Sequence, residues 1–343
     1  MDRKDLIGPH QITFDITNKC NLRCLHCYNS SGDNFQSKDE LTDAEVCSFV
    51  DEFKDVKLLN FCFCGGEPLL RKDLIVTSTK KLRLYGCKNV AMVSNGFFLD
   101  EDTLDELIDA GLTRIQISLD GFNESSHNYI RNNPNAYKAA TDAIKLIAKK
   151  KIESSVAFTP TSYNIGELSD IKKFISDLGL NSSLRVQPVM IMGRAADNVL
   201  KIVPNKIQYR ELVASIKKMN EAGGKVNIDW GDPIDHLIRF TKRDLLITNA
   251  VVRSNGEIIV DPYIPVVVGN IRKHSFFEYW EAGLFDIWTQ KLIKKLAETI
   301  LTTEDMDIYN NKYIPDIFKK GDIYLDLIDT PKFEFEDLLR SFI

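Results

Sequence analysis

The chain has 343 residues, 44% of them hydrophobic and 27% charged, with a formal net charge of −5. That length and apolar content support one large folded domain or a domain with an appendage, and they exclude a disordered chain. The acidic balance argues against a general affinity for nucleic acid phosphates, and no stretch approaches the ~20 apolar residues of a membrane span.

The start, Met1-Asp2-Arg3-Lys4-Asp5, has no apolar h-region, so a cytoplasmic protein without a secretory signal is expected. A first strand is expected over 11–16, Gln-Ile-Thr-Phe-Asp-Ile. It runs into Cys20-Asn21-Leu22-Arg23-Cys24-Leu25-His26-Cys27, three thiols spaced CxxxCxxC. Thiolates are soft ligands that hold iron-sulfur clusters. A cubane normally takes four, so a site of three leaves one iron open to a small chelating ligand. A zinc knuckle needs a fourth ligand, and His26, wedged between two of the cysteines, is poorly placed to reach the same ion. Apolar packing of three structural cysteines does not call for such crowding beside Asn21, Arg23 and His26. The odd total of seven cysteines argues against a disulfide scaffold and for a reducing compartment. None follows Cys87, so a second metal centre farther along needs other ligands.

After a polar stretch from Asn29 to Glu40, Thr42 and Glu45 read as a capping box opening a helix. Strands are expected at 58–63, 89–93, 114–119, 155–159 and 184–188, alternating with helices near 71–85, 100–110, 134–150 and 166–178. Such alternation argues for parallel strands joined by right-handed crossovers, whose ligands sit beyond the strands' carboxyl ends. The polar and glycine-rich signals fall there repeatedly: the cysteine loop, Cys64-Gly65-Gly66-Glu67-Pro68, Ser94-Asn95-Gly96, Ser118-Leu119-Asp120-Gly121 and Gln187-Pro188. Each alone is an ordinary turn. Together they mark one end of a sheet as a site. Gly65 and Gly66 let backbone approach a ligand, and Glu67 offers a carboxylate to a cationic amine. Ser94 and Asn95 offer donors and acceptors, and Ser118 and Asp120 can accept hydrogen bonds from hydroxyls such as those of a ribose.

CxxxCxxC directly after a first strand resembles the signature of the radical S-adenosylmethionine (SAM) superfamily. The resemblance implies an α/β fold, a partial (β/α)6 TIM-like barrel with a small C-terminal α+β extension. It implies one 4Fe-4S cluster on Cys20, Cys24 and Cys27, with SAM chelating the fourth iron and cleaved to a 5′-deoxyadenosyl radical. His26 then contacts adenine, the loop Gly65, Gly66, Glu67 binds the methionine amino group, and Ser94, Asn95, Ser118, Asp120 and Gln187 complete the SAM contacts. Arg131, in His127-Asn128-Tyr129-Ile130-Arg131, pairs with the SAM carboxylate; a surface arginine near a helix start is the alternative.

The order of these motifs, with Gln187-Pro188-Val189-Met190-Ile191-Met192-Gly193-Arg194-Ala195, is similar to the branch with a SPASM or twitch extension, whose enzymes mostly modify peptides. A core over 1–222 and an extension over 223–343 follow. Within the extension a hairpin over 251–263 turns at Asn255-Gly256, Gly269-Asn270-Ile271 precedes a helix carrying Trp280, and 322–329 alternates as a strand before a helix over 333–339. The cysteines that bind auxiliary clusters in such relatives are missing, which makes the extension degenerate. The implied activity is hydrogen abstraction from a residue of a ribosomally made peptide, ending in epimerisation, cross-linking or backbone rearrangement. Cys64 is a candidate hydrogen-atom donor or a small strand filler, with Cys62 deeper on the same face. The expected partners are the peptide, an electron donor such as flavodoxin or ferredoxin and, since the first strand begins close to Met1, a separate leader-binding protein. A small-molecule radical SAM enzyme and a non-enzymatic zinc module are the rival readings.

Overall fold

The structure, a computed structural model, describes residues 8–33, 39–180, 182–242 and 249–342. The signal-free start Met1–Asp5 and part of the polar stretch 29–40 lie outside the described residues. The strands are β1 (Gln11–Thr17), β2 (Asn60–Gly65), β3 (Asn89–Ser94), β4 (Arg114–Ser118), β5 (Glu153–Phe158), β6 (Ser182–Val186), β7 (Asn227–Trp230), β8 (Asn249–Val252), β9 (Glu257–Ile259), β10 (Val266–Asn270) and β11 (Ile323–Tyr324). They form one sheet in the order β11-β10-β9-β8-β1-β2-β3-β4-β5-β6-β7. From β1 to β7 every neighbouring pair is parallel. The mixed α/β fold with a large parallel sheet is therefore as expected.

Helices Asp43–Asp51, Lys72–Leu84, Glu101–Ala110, Ala136–Lys150, Leu168–Asp177 and Lys206–Glu221 lie in the crossovers. Their ends are written locally. The Thr42–Glu45 capping box forms, and Asp100 caps Glu101–Ala110 by accepting from the Thr103 amide at 2.8 Å. Gly111, at φ +102°, ends the same helix in the left-handed region.

The two faces of the sheet differ. On β1, Ile12, Phe14 and Ile16 are fully enclosed under the helices, while Gln11, Thr13 and Asp15 are half-buried on the opposite face. The same alternation runs through β2, β3 and β4. The inner face is polar and unfilled: one cavity of about 620 Å³ touches Thr13, Cys62, Cys64, Gln116 and Arg185, and another of about 810 Å³ touches Thr13, Asp15, Tyr28, Arg253 and Tyr263. Thr13 borders both, so they share a wall.

Beyond residue 222 the chain stays joined to this sheet. β7 pairs with β6 and β8 pairs with β1, both in parallel. β8 and β9 form the expected hairpin, antiparallel and turning at Gly256 with φ +86°. Phe276 packs 5.5 Å from Phe53 and 6.1 Å from Phe49 between ring centroids, so the two halves share an aromatic core.

Three elements depart from expectation. The strand expected over 322–329 is only Ile323–Tyr324, because the Asp326 carboxylate accepts from the Ile328 and Asp329 amides at 3.0 and 3.1 Å and turns the chain. β7 was not anticipated: its four residues carry a single fully buried apolar side chain, Ile228. Arg131 closes a helix, Glu124–Arg131, instead of standing near a helix start.

Candidate active site

The loop that leaves β1 carries the three thiols, and four neighbouring segments hold it. The Leu25 amide donates to the Ile130 carbonyl at 2.8 Å. Asn95 Nδ2 donates to Asn21 Oδ1 at 2.8 Å. Arg194 donates to the Cys24 and Ser31 carbonyls at 3.1 and 3.0 Å and pairs with Asp33 at 2.9 Å. A Cβ on Gly193 would lie 2.5 Å from the Tyr28 carbonyl oxygen, so Gly193-Arg194 is the clamp of this loop.

The fourth support is the β2 end. A Cβ on Gly65 or Gly66 would sit 2.1 Å from the Thr17 or Lys19 carbonyl oxygen. The Gly66 and Glu67 amides donate to those same carbonyls at 2.8 and 2.9 Å. The two glycines thus let this turn press against the chain entering the cysteine loop, a reason the sequence reading had assigned to a ligand.

Glu67 is fully enclosed. Its carboxylate accepts from Ser94 Oγ at 2.9 Å, the Asn95 amide at 2.8 Å and the Leu69 amide at 3.1 Å. Burial raises its titration and the three donors oppose that rise. Three residues expected to meet SAM therefore hold one another, and in this structure the Glu67 carboxylate braces the ends of β2 and β3.

A second buried node lies behind the thiols. Asp120, 1% exposed, pairs with Arg131 at 2.6 Å and with His26 Nε2 at 3.1 Å. Its other oxygen accepts from the Thr159 amide at 2.8 Å. Burial works to raise the Asp120 carboxyl, but Arg131 and His26 outweigh it and hold it well below the carboxylate range. Expected to contact ribose and the SAM carboxylate, Asp120 and Arg131 are here paired with each other. His127 supports the node by accepting from the Asp120 amide through Nδ1 at 3.0 Å. Arg131 Nη1 also lies 3.8 Å from Cys24 Sγ. Burial pushes the Cys24 thiol up to about 11 and Arg131 pulls the other way, so a thiolate here depends on positive charge or a metal.

Among the described residues, His274, Asp326 and Asp329 place three possible metal-ligand atoms within 4.8 Å of one another, but Lys273 already stands 3.6 and 3.7 Å from those two carboxylates. His26 Nε2 faces Asp120 and Nδ1 has no partner, so the histidine does not complete a zinc set.

Of the remaining expected residues, Ser118 ends β4 half-buried and Gln187 donates to Tyr263 Oη at 3.1 Å. Cys64 and Cys62 meet with their sulfurs 3.5 Å apart on the inner face. Sequence reasoning missed Asp15 and Tyr28. Asp15 stands opposite Cys64 in the β1–β2 register. Burial raises the Asp15 carboxyl to about 6, moderated by Arg253. Tyr28 is raised by burial and by the nearby Asp15 and Cys64. The Gln11, Thr13, Asp15 alternation was the available signal.

Residues 14–175 match the model of the radical SAM superfamily. The chain is 27% identical to AdoMet-dependent heme synthase of Methanosarcina barkeri, over 80% of this chain and 82% of that protein. It is 32% identical to a probable GTP 3′,8-cyclase of Methanocaldococcus jannaschii, over 75% and 76%. With PqqA peptide cyclase of Bradyrhizobium diazoefficiens it shares 28%, over 67% of this chain and 60% of that one. Two solved structures share the fold: Streptococcus suis SuiB bound to precursor peptide SuiA, with a TM-score of 0.65, 12% identity and coverage of 80% and 65%, and anSMEcpe with bound AdoMet and Cp18Cys peptide, with a TM-score of 0.63, 17% identity and coverage of 98% and 96%. No helix among the described residues is long and apolar enough to cross a membrane.

Proposed function

The chain belongs to the radical SAM superfamily, whose members use a 4Fe-4S cluster and SAM, and from that premise we propose that it abstracts hydrogen from a residue of a ribosomally made peptide. The observation that carries the reading is the cysteine loop, clamped at the carboxyl end of β1 by Asn95 and Gly193-Arg194, with the buried Asp120–Arg131 pair behind Cys24. When bound, cluster and SAM supply the 5′-deoxyadenosyl radical. The protein supplies position and exclusion of water.

In this reading Cys20, Cys24 and Cys27 hold the cluster. Arg131 lies against Cys24 and offers its positive charge to the thiolate and to an incoming carboxylate. His26, Ser118, Asp120 and Gln187 line the adenosine side. The Gly65-Gly66-Glu67 turn, braced by Ser94 and Asn95, faces the methionine side with its backbone. Cys64 is placed on the inner wall to return a hydrogen atom. The core over 1–222 is a partial (β/α)6 barrel, which β7 continues past that boundary, and 223–343 is a degenerate SPASM-like extension.

The peptide substrate is supported by PqqA peptide cyclase among the relatives and by the peptide-bound SuiB and anSMEcpe among the shared folds. A leader-binding protein, a flavodoxin or ferredoxin electron donor and a cytoplasmic location belong to the same proposal. A small-molecule substrate is the second reading, supported by the names of the heme synthase and the GTP cyclase. The test is anaerobic co-expression with a peptide encoded beside the gene, followed by mass spectrometry in deuterated water. Deuterium or a lost hydrogen pair on the peptide is expected, and an unaltered peptide with an active SAM-cleaving enzyme favours the small molecule.

A further inference from the structure

Resting on that reading of the lumen, we propose that Cys62 and Cys64 act as a dithiol, with Asp15 as proton acceptor, that quenches a carbon radical formed on the substrate. Three observations converge. The sulfurs lie 3.5 Å apart, side by side on β2, and both cysteines line the 620 Å³ cavity. Strand register sets Asp15 opposite Cys64 and Thr13 opposite Cys62, so carboxylate and thiols share the inner face. Asp15 has no hydrogen-bond or ion-pair partner among the described residues, and Arg253, whose charge moderates it, is already paired with Glu257 and Asp322.

A half-buried carboxylate with no partner has no ion pair to break when it takes up a proton. Apolar packing accounts for neither this carboxylate nor two thiols in mutual contact on an otherwise polar, open face. A single thiol that gives up hydrogen is left as a free thiyl. A second sulfur at van der Waals distance captures it.

The step balances as follows. Cys64 gives one hydrogen atom to the substrate carbon, breaking S–H and forming C–H. The thiyl bonds to the Cys62 sulfur, whose proton passes to Asp15. The pair, then a disulfide radical anion, gives up one electron to a one-electron acceptor of the iron-sulfur class and rests as a disulfide. A small dithiol reductant restores both thiols. The substrate leaves with a new C–H bond and no net oxidation, which favours stereochemical inversion over cross-linking.

Two measurements on the anaerobically reconstituted holoenzyme test this, with Cys20, Cys24 and Cys27 on the cluster and Cys47 and Cys87 lying on other tryptic peptides. The first uses phenylarsine oxide, a trivalent arsenical that needs two adjacent thiols. Retention of one arsenical on the tryptic peptide 58–71 is expected, with at least about a tenfold loss of retention in Cys62→Ser or Cys64→Ser. The second is reductive SAM cleavage without substrate in deuterated water. The wild type is expected to place deuterium in 5′-deoxyadenosine and to accumulate a disulfide in peptide 58–71. Cys64→Ser should lose both, Cys62→Ser should keep the deuterium and lose the disulfide, and Asp15→Asn should lower the disulfide yield several-fold. No arsenical on that peptide, or equal deuteration in wild type and Cys64→Ser, overturns the dithiol. No 5′-deoxyadenosine from any variant overturns the family chemistry itself, and the quench with it.

Discussion

Replacing Asp120 by alanine removes the carboxylate that pairs with a buried arginine behind the thiols. Asp120 is 1% exposed and Arg131 11% exposed on their side chains, at 2.6 Å. Removing one partner of such a pair leaves an uncompensated buried charge and typically costs about 3–5 kcal/mol. The Thr159 amide also loses its acceptor, but its cost of about 1–3 kcal/mol overlaps with the first and does not simply add. Urea unfolding of the cluster-free protein should therefore show Asp120→Ala destabilised by about 3–5 kcal/mol, a large share of the roughly 5–15 kcal/mol of an ordinary domain. Arg131→Met combined with Asp120→Ala should recover about 2 kcal/mol or more relative to the sum of the single changes, since the stranded charge is gone. Loading the cluster should lessen the defect of Asp120→Ala, because thiolates beside Arg131 give it a second counter-charge. A loss below about 1 kcal/mol with no coupling to Arg131 would refute the buried-pair account.

Three further outcomes follow from the same geometry. His127 is held neutral, its titration lowered to about 3 by burial and by Arg131. The unfolded chain takes up a proton near pH 6.5, so it binds more protons between those values and stability falls as pH drops through that window, by at most about 1.4 kcal/mol per unit. Glu52 and Asp15, raised to about 7 and about 6 mainly by burial, act with the opposite sign, so the check is the wild-type minus His127→Phe difference, which should shrink from pH 6 to 4; a constant difference argues against it. Gly66→Ala should abolish stable cluster loading, because its Cβ would meet the Lys19 carbonyl oxygen at 2.1 Å; wild-type iron retention in that variant would contradict the packing described. Glu67→Gln places an amide donor against donors from Ser94, Asn95 and Leu69 and should cost about 1–3 kcal/mol by thermal melting, whereas an unchanged melt would show that the brace is dispensable.

The periodic elements were legible because their signals are local. Apolar runs such as Asn60–Gly65 end in glycine, and the capping box at Thr42 opens its helix where it stands. The cysteine loop was legible for the same reason. Residue roles were not, because they depend on pairings distant in sequence. Nothing near Glu67 announces that Ser94 and Asn95 will enclose it, and nothing near Asp120 announces Arg131 and His26. Gly193-Arg194 was read as part of a branch motif, and only contact with the Cys24 and Tyr28 carbonyls reveals it as a clamp. Asp15 was passed over because a strand's inner face is usually packed, whereas here it borders an open cavity.

The most direct test of the account is iron and sulfide content after anaerobic reconstitution, measured on the wild type and on the variant with Cys20, Cys24 and Cys27 all replaced by alanine. About four irons per chain in the wild type and none in the variant are expected, with reductive SAM cleavage following the iron. A variant that keeps its iron and its SAM cleavage, or a wild type that takes up a single zinc ion instead, would contradict the account.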